Sequence, residues 1–341
     1  MIAVALLAAA ALGGGAQGVL ALGTPAPVFA GVEFAAREPT ELEVQLASMG
    51  WLPEARWEAS LDASSGHATL VHGLGDGAEP ARSTDLARAA GWTELDRGLR
   101  VLGLAAEGAD LGAVAARDRF VHPLAIAPED HPWADATEAG RLTLVSRTGL
   151  VVWSGLDAEE ATLKVLIALR WPPAPRVQRP PAPLLDEAWA RYHDGQWSDS
   201  RRLAAALGAT ADPTVTGGDQ LAALIDAHEQ ELLRQVESLP ATPQLHELAR
   251  ALRLREALTR GFPGGPATRA LLGWTSELRR REGMSEAMRT AADWVALEPR
   301  RPLGWPLLGG VTPVDAAVGA VIERAGDEPL GAYARALLAL R

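Results

Sequence analysis

The stretch RWPPAPRVQRPPAPLL, residues 170–185, carries six prolines and sets the plan of the chain. Each proline fixes φ and removes a backbone donor, so the stretch continues neither a helix nor an inner strand. It predicts a semi-rigid linker over 173–184 between two halves of different character.

Upstream, short apolar runs bounded by turn residues alternate with helical patterns. ATLVHGL (68–74), LRVLGLA (99–105), LTLV (142–145) and LVVW (150–153) have strand length. PARSTDLARAAGW, LGAVAARDRF and AEEATLKVLIALRW read as helices, the last with Asp157 and Glu160 placed to satisfy its first free N–H groups. Strand, helix, strand, helix, a hairpin through Arg147-Thr148-Gly149 and a closing helix spell an α/β sandwich. Downstream the pattern is helical almost throughout. GDQLAALIDAHEQELLRQVESL, ending at Leu239, and TPVDAAVGAVIERAG (312–326), with Thr312 as cap and Pro313 in the first turn, are its clearest pieces. Short connections predict antiparallel helical hairpins stacked side by side over 185–341.

Composition narrows the partners. A net charge of −11, with Lys164 the one lysine, leaves no basic face for nucleic acid or an anionic lipid surface. The opening MIAVALLAAAALGGGAQG has the layout of a signal peptide over 1–18, without a basic n-region, and predicts an extracytoplasmic protein of the periplasm or cell envelope. Its apolar run is too short for a stable membrane span beyond an uncleaved signal anchor. The chain contains no cysteine.

The upstream half resembles the thioredoxin fold, in particular its TlpA-type and redoxin branch, over residues 22–172. LGTPAPVF (22–29) is similar to the redoxin opening, SLDASSGHATLVHGL (60–74) to the approach to the active site, GLRVLGLAAEG (98–108) to the next strand, and RLTLVSRTGLVVWSG (141–155) to the hairpin. The resemblance implies a W-C-x-P-C motif after the first strand. Here GAEPAR stands in its place, with Gly77 on the Trp, Ala78 on the first Cys, Glu79 on the variable residue, Pro80 on the Pro and Ala81 on the second Cys. Alanine supplies neither the attacking nor the resolving thiol, so thiol-disulfide exchange is excluded. The cis-proline that the resemblance implies before the hairpin is replaced by Arg141 and Leu142.

Downstream, AWARYHDGQWSDSRRLAAAL (188–207) and SEAMRTAADWVALEPRRPLGWPLLGG (285–310) resemble tetratricopeptide repeats, with Gly195 turning the chain and aromatics filling the helix interface. No sustained 34-residue period links the two.

Other chemistry is sparse. Seven histidines, at 67, 72, 122, 131, 193, 228 and 246, show no metal-ligand spacing, and no metal or cofactor is expected. PEDHPW (128–133) gathers Glu129, Asp130 and His131, read as a solvated loop. Ser64, Ser65 and Ser83 lack a nucleophile signature, and FPGGPATR (262–269) lacks the lysine of a phosphate loop. Most of the eleven tryptophans are expected in the core. Glu79 is read as complementing a helix dipole, with a general acid or base as its alternative role. The expected function is protein or peptide binding and scaffolding without redox chemistry. The alternatives are a redoxin-derived enzyme using Glu79, with converging polar groups near 76–82, and an accessory subunit for a cysteine-bearing partner in extracytoplasmic thiol-disulfide metabolism.

Overall fold

The computed structural model describes residues 20, 22–24, 26–27, 29, 32–34, 41–49, 67–75, 82–118, 122–169, 183–209, 217–307 and 312–340. A mixed sheet flanked by helices comes first, and an all-helical region follows. The linker prolines up to Pro181, the signal-like opening and Ala78, Glu79, Pro80 and Ala81 lie outside the described residues.

Five strands, β2 (Ala68–Gly75), β3 (Leu99–Ala106), β4 (Leu124–Ala127), β5 (Leu142–Val145) and β6 (Val151–Gly155), form the body of the sheet, and the two-residue β1 (Glu33–Phe34) borders β4. The order is β1-β4-β3-β2-β5-β6. β2, β3 and β4 run parallel, while β1, β5 and β6 pair antiparallel with their neighbours. β2 and β3 are buried on both faces, which is why they read as continuous apolar runs and not as alternating ones. On one face Leu70, Leu99, Val101, Leu142 and Leu144 pack against Leu86, Ala87 and Ala90 of α2 (Arg82–Thr93) and Ala161 and Val165 of α4 (Ala158–Ala168). On the other, Val71, Leu102, Leu104 and Ala125 meet Trp133 and Phe29. A small satellite seats Val114 of α3 (Leu111–Asp118) against Leu74 and Leu124.

Two local devices hold the sheet's margin. Phe29 stacks on Trp133 with ring centroids 4.8 Å apart, and the Trp133 indole donates to the Pro27 carbonyl at 3.0 Å. Gly23 N–H donates to Val151 O at 2.7 Å, Val151 N–H to Thr24 O at 2.9 Å and Ala26 N–H to Gly149 O at 2.8 Å, which satisfies part of the free edge of β6. The hairpin turns at Gly149, φ 87°, as its sequence implied.

The helical region holds α5 (Asp186–His193), α6 (Trp197–Gly208), α7 (Gly218–Glu237), α8 (Leu245–Gly261), α9 (Pro266–Arg279), α10 (Met284–Leu297), α11 (Pro313–Ala325) and α12 (Pro329–Leu338). Gly195, φ 71°, turns α5 into α6, and Trp189, Tyr192 and Trp197 are buried around it. They belong to one core with Ile225, Leu258 and Phe262. A second core joins Leu248, Trp294, Val318 and Tyr333. That core also takes Leu42, Leu46 and Met49 from α1 (Glu41–Ser48) and the residue after it, although α1 precedes the sheet strands β2 to β6 in the chain. Burying three such side chains stabilises the arrangement by about 5 kcal/mol. Among the described residues no helix is long and apolar enough to cross a membrane.

Candidate functional site

The sequence points to the junction after β2, and the described residues frame it. β2 ends at Gly75 and α2 begins at Arg82. The segment leading into β5 presses on the end of β2: Gly73 N–H donates to Arg141 O at 2.7 Å, and Gly140 N–H donates to Gly73 O at 2.9 Å. A side chain at position 73 would run into the backbone carbonyls of Glu138 and Ala136, so this close approach requires glycine. Where the resemblance implied a cis-proline stands Arg141, its guanidinium paired with the Glu138 carboxylate through Nε at 2.8 Å. Among the described residues the one cis peptide is Trp305-Pro306, far along the chain.

Beneath α2 the structure gathers two buried histidines. His72 lies opposite Gly103 in the β2–β3 register, and the His122 ring packs against both Gly103 and Gly91 of α2. Spacing in the sequence gave no sign of this, because fifty residues separate them. The other predicted polar group does not converge. Glu129 and Asp130 are exposed, and His131 uses Nδ1 to accept from Trp133 N–H at 3.2 Å. No group of three or more His, Asp or Glu among the described residues is placed to hold a metal ion.

Among the described residues a charged seam between the sheet and the helical region is the most elaborate polar construction, and sequence reasoning missed it. The turn after α2 supplies Glu94, Asp96 and Arg97; the segment after α10 supplies Arg301 and Gly304; all three of the turn residues and Arg301 are buried. Glu94 Oε2 accepts from Arg97 Nη1 at 2.7 Å, and its Oε1 accepts from Gly304 N–H at 2.8 Å and Thr93 Oγ1 at 3.0 Å. Arg97 Nη1 also reaches Arg301 O at 3.3 Å. The Arg301 guanidinium lies 5.5 Å from the Trp294 ring centre. Burial works against the Arg301 charge, but Asp96 and Glu94 outweigh it and raise its pKa above the ordinary guanidinium value. Burial, aided by Asp96, pushes the Tyr333 hydroxyl well up.

Further contacts reinforce the seam. Leu303 enters the sheet-side core. The His193 Nδ1 and Thr148 Oγ1 atoms, 2.6 Å apart, join α5 to the β5–β6 turn. Arg147, from the same turn, is buried and donates through Nη2 to Arg97 O at 2.6 Å and Leu169 O at 3.2 Å. The seam positions the two regions relative to one another.

On the helical side a shallow notch between α8, α9 and α10 is lined by Leu248, Leu252, Trp274, Thr275, Met288 and Arg255. The Trp274 indole N–H is taken by Pro240 O at 3.2 Å, so the ring offers the notch an apolar face. Arg255 is exposed. No protein-family model matches the chain, and no curated protein aligns with it.

Proposed function

We propose that this chain is an exported, redox-inactive protein of thioredoxin-like ancestry whose helical half, built of tetratricopeptide-like hairpins, binds a protein or peptide partner in the cell envelope. The observation that carries the reading is the complete absence of cysteine from a chain whose sheet runs β4-β3-β2-β5-β6, with α2 following the central strand β2. Disulfide exchange needs a thiolate and a resolving thiol, and neither exists anywhere in the sequence. A scaffold kept without its chemistry is suited to recognition. The notch with Arg255 on its rim supports placing recognition on the helical half, since apolar surface beside a guanidinium suits a peptide bearing an apolar and an acidic side chain.

The test is crosslinked capture from an extracytoplasmic extract by the full chain after removal of residues 1–18. The two regions share a buried ion pair, Asp96–Arg301, so the chain is kept whole and altered at half-buried Arg141 and exposed Arg255. A defined partner retained by Arg141→Ala and lost by Arg255→Glu supports the reading. Loss with Arg141→Ala instead moves recognition to the sheet and favours an accessory subunit. Insulin disulfide reduction by the purified chain would overturn the reading altogether.

A further inference from the structure

The ionised groups buried in the seam do not balance. Glu94 and Asp96 stand against Arg97, Arg147 and Arg301. The Arg253–Glu298 pair at the edge is neutral as a unit. Glu94 is matched by Arg97 and Asp96 by Arg301, which leaves Arg147 as the excess cation. Its hydrogen bonds go to two carbonyls, and its buried Nε–H meets no acceptor among the described residues. Arg301 Nη1, on the helical side of the same seam, is likewise buried without an acceptor among the described residues.

An ionised group in a medium of low dielectric is costly unless a counter-charge accompanies it. Neutralisation by proton loss does not occur near pH 7, because burial lowers the Arg147 pKa only to about 10, with Glu298 opposing the fall and Arg253 and Arg97 adding to it. We propose that Arg147 Nε–H is the donor of a site for a small monovalent anion of chloride type in the seam. A single charge is what the excess requires. The far end of the guanidinium is closed off, since a Cβ on Gly98 would already lie 3.1–3.2 Å from Nη1, Nη2 and Cζ. A phosphate would bring more charge and more acceptor atoms than this corner has donors.

The experiment measures the thermal midpoint of the full chain at pH 7.5 and constant ionic strength while sodium gluconate is replaced by sodium chloride. The expected result is a rise of about 2–4 °C for a tenfold increase in chloride above its dissociation constant, and no such rise for Arg147→Met. Should Arg147→Met fail to fold, wild-type crystals soaked in sodium bromide decide the matter by an anomalous peak at hydrogen-bond distance from Arg147 Nε. Equal midpoints in chloride and gluconate, or water without an anomalous peak at that atom, overturn the proposal. A bromide peak without chloride dependence marks an adventitious ion only and overturns it as well.

Discussion

Arg301 Nη2 lies 2.9 and 2.8 Å from the two carboxylate oxygens of Asp96, and both side chains are almost fully withdrawn from solvent, at 2% and 0% exposure. The pair is separated by 205 positions and joins the turn after α2 to the segment after α10. Removing one member strands a buried charge. Asp96→Ala is expected to cost about 3–5 kcal/mol in urea unfolding, while Asp96→Leu combined with Arg301→Met costs less than the sum of its two parts. Strict additivity would show that the pair does not act as a unit.

His228, on α7, is buried with the Trp197 ring edge-on at 4.5 Å, and burial lowers its pKa from 6.5 to about 4, with Glu231 partly opposing. The folded state therefore binds fewer protons at this site than the unfolded state below pH 6.5. Its contribution is fully present above that pH and is lost as the pH falls toward the folded value. About 2 kcal/mol should disappear between pH 7.5 and pH 5. Urea midpoints across that interval, compared with those of His228→Leu, check this, because the substitution should flatten the profile by that amount.

Gly73 holds the approach to the junction after β2. Its neighbours at the Cβ position are the backbone carbonyls of Glu138 and Ala136, which cannot rotate aside as a flexible side chain would. Gly73→Ala is expected to cost about 1–3 kcal/mol and to weaken protection of the Gly140 amide in hydrogen exchange, since that amide donates to Gly73 O. Unchanged protection at Gly140 would mean the loop can shift freely.

Asp315 serves two ends at once. Oδ2 accepts from Thr312 N–H at 2.5 Å to cap α11, and Oδ1 accepts from the Trp305 indole at 2.9 Å. Asp315→Ala removes both and should lower stability by about 2 kcal/mol. Trp305→Phe loses the indole bond and also part of a ring buried in the core with Trp294 and Val318, so its effect measured by urea unfolding is expected to match or exceed that of Asp315→Ala.

Local chemistry in the sequence determined the elements whose signals are contained within a few residues. The buried strands β2, β3 and β5 follow from apolar runs between turn residues, α11 from Thr312-Pro313, and the α5–α6 turn from Gly195 between paired aromatics. The absence of thiol chemistry also needs only the sequence. By contrast β4, half alanine and set between Pro123 and Pro128, lacks the β-branched apolar run that marks a strand, and α1 gives no hint that it completes the core of α8 to α12. Tertiary structure alone decided the seam: Glu94, Asp96 and Arg301 look like ordinary surface charges, and Arg147 like part of a hairpin turn. A charge becomes structural only when a distant partner and the exclusion of water meet it in space, and neither condition is written in the residues beside it.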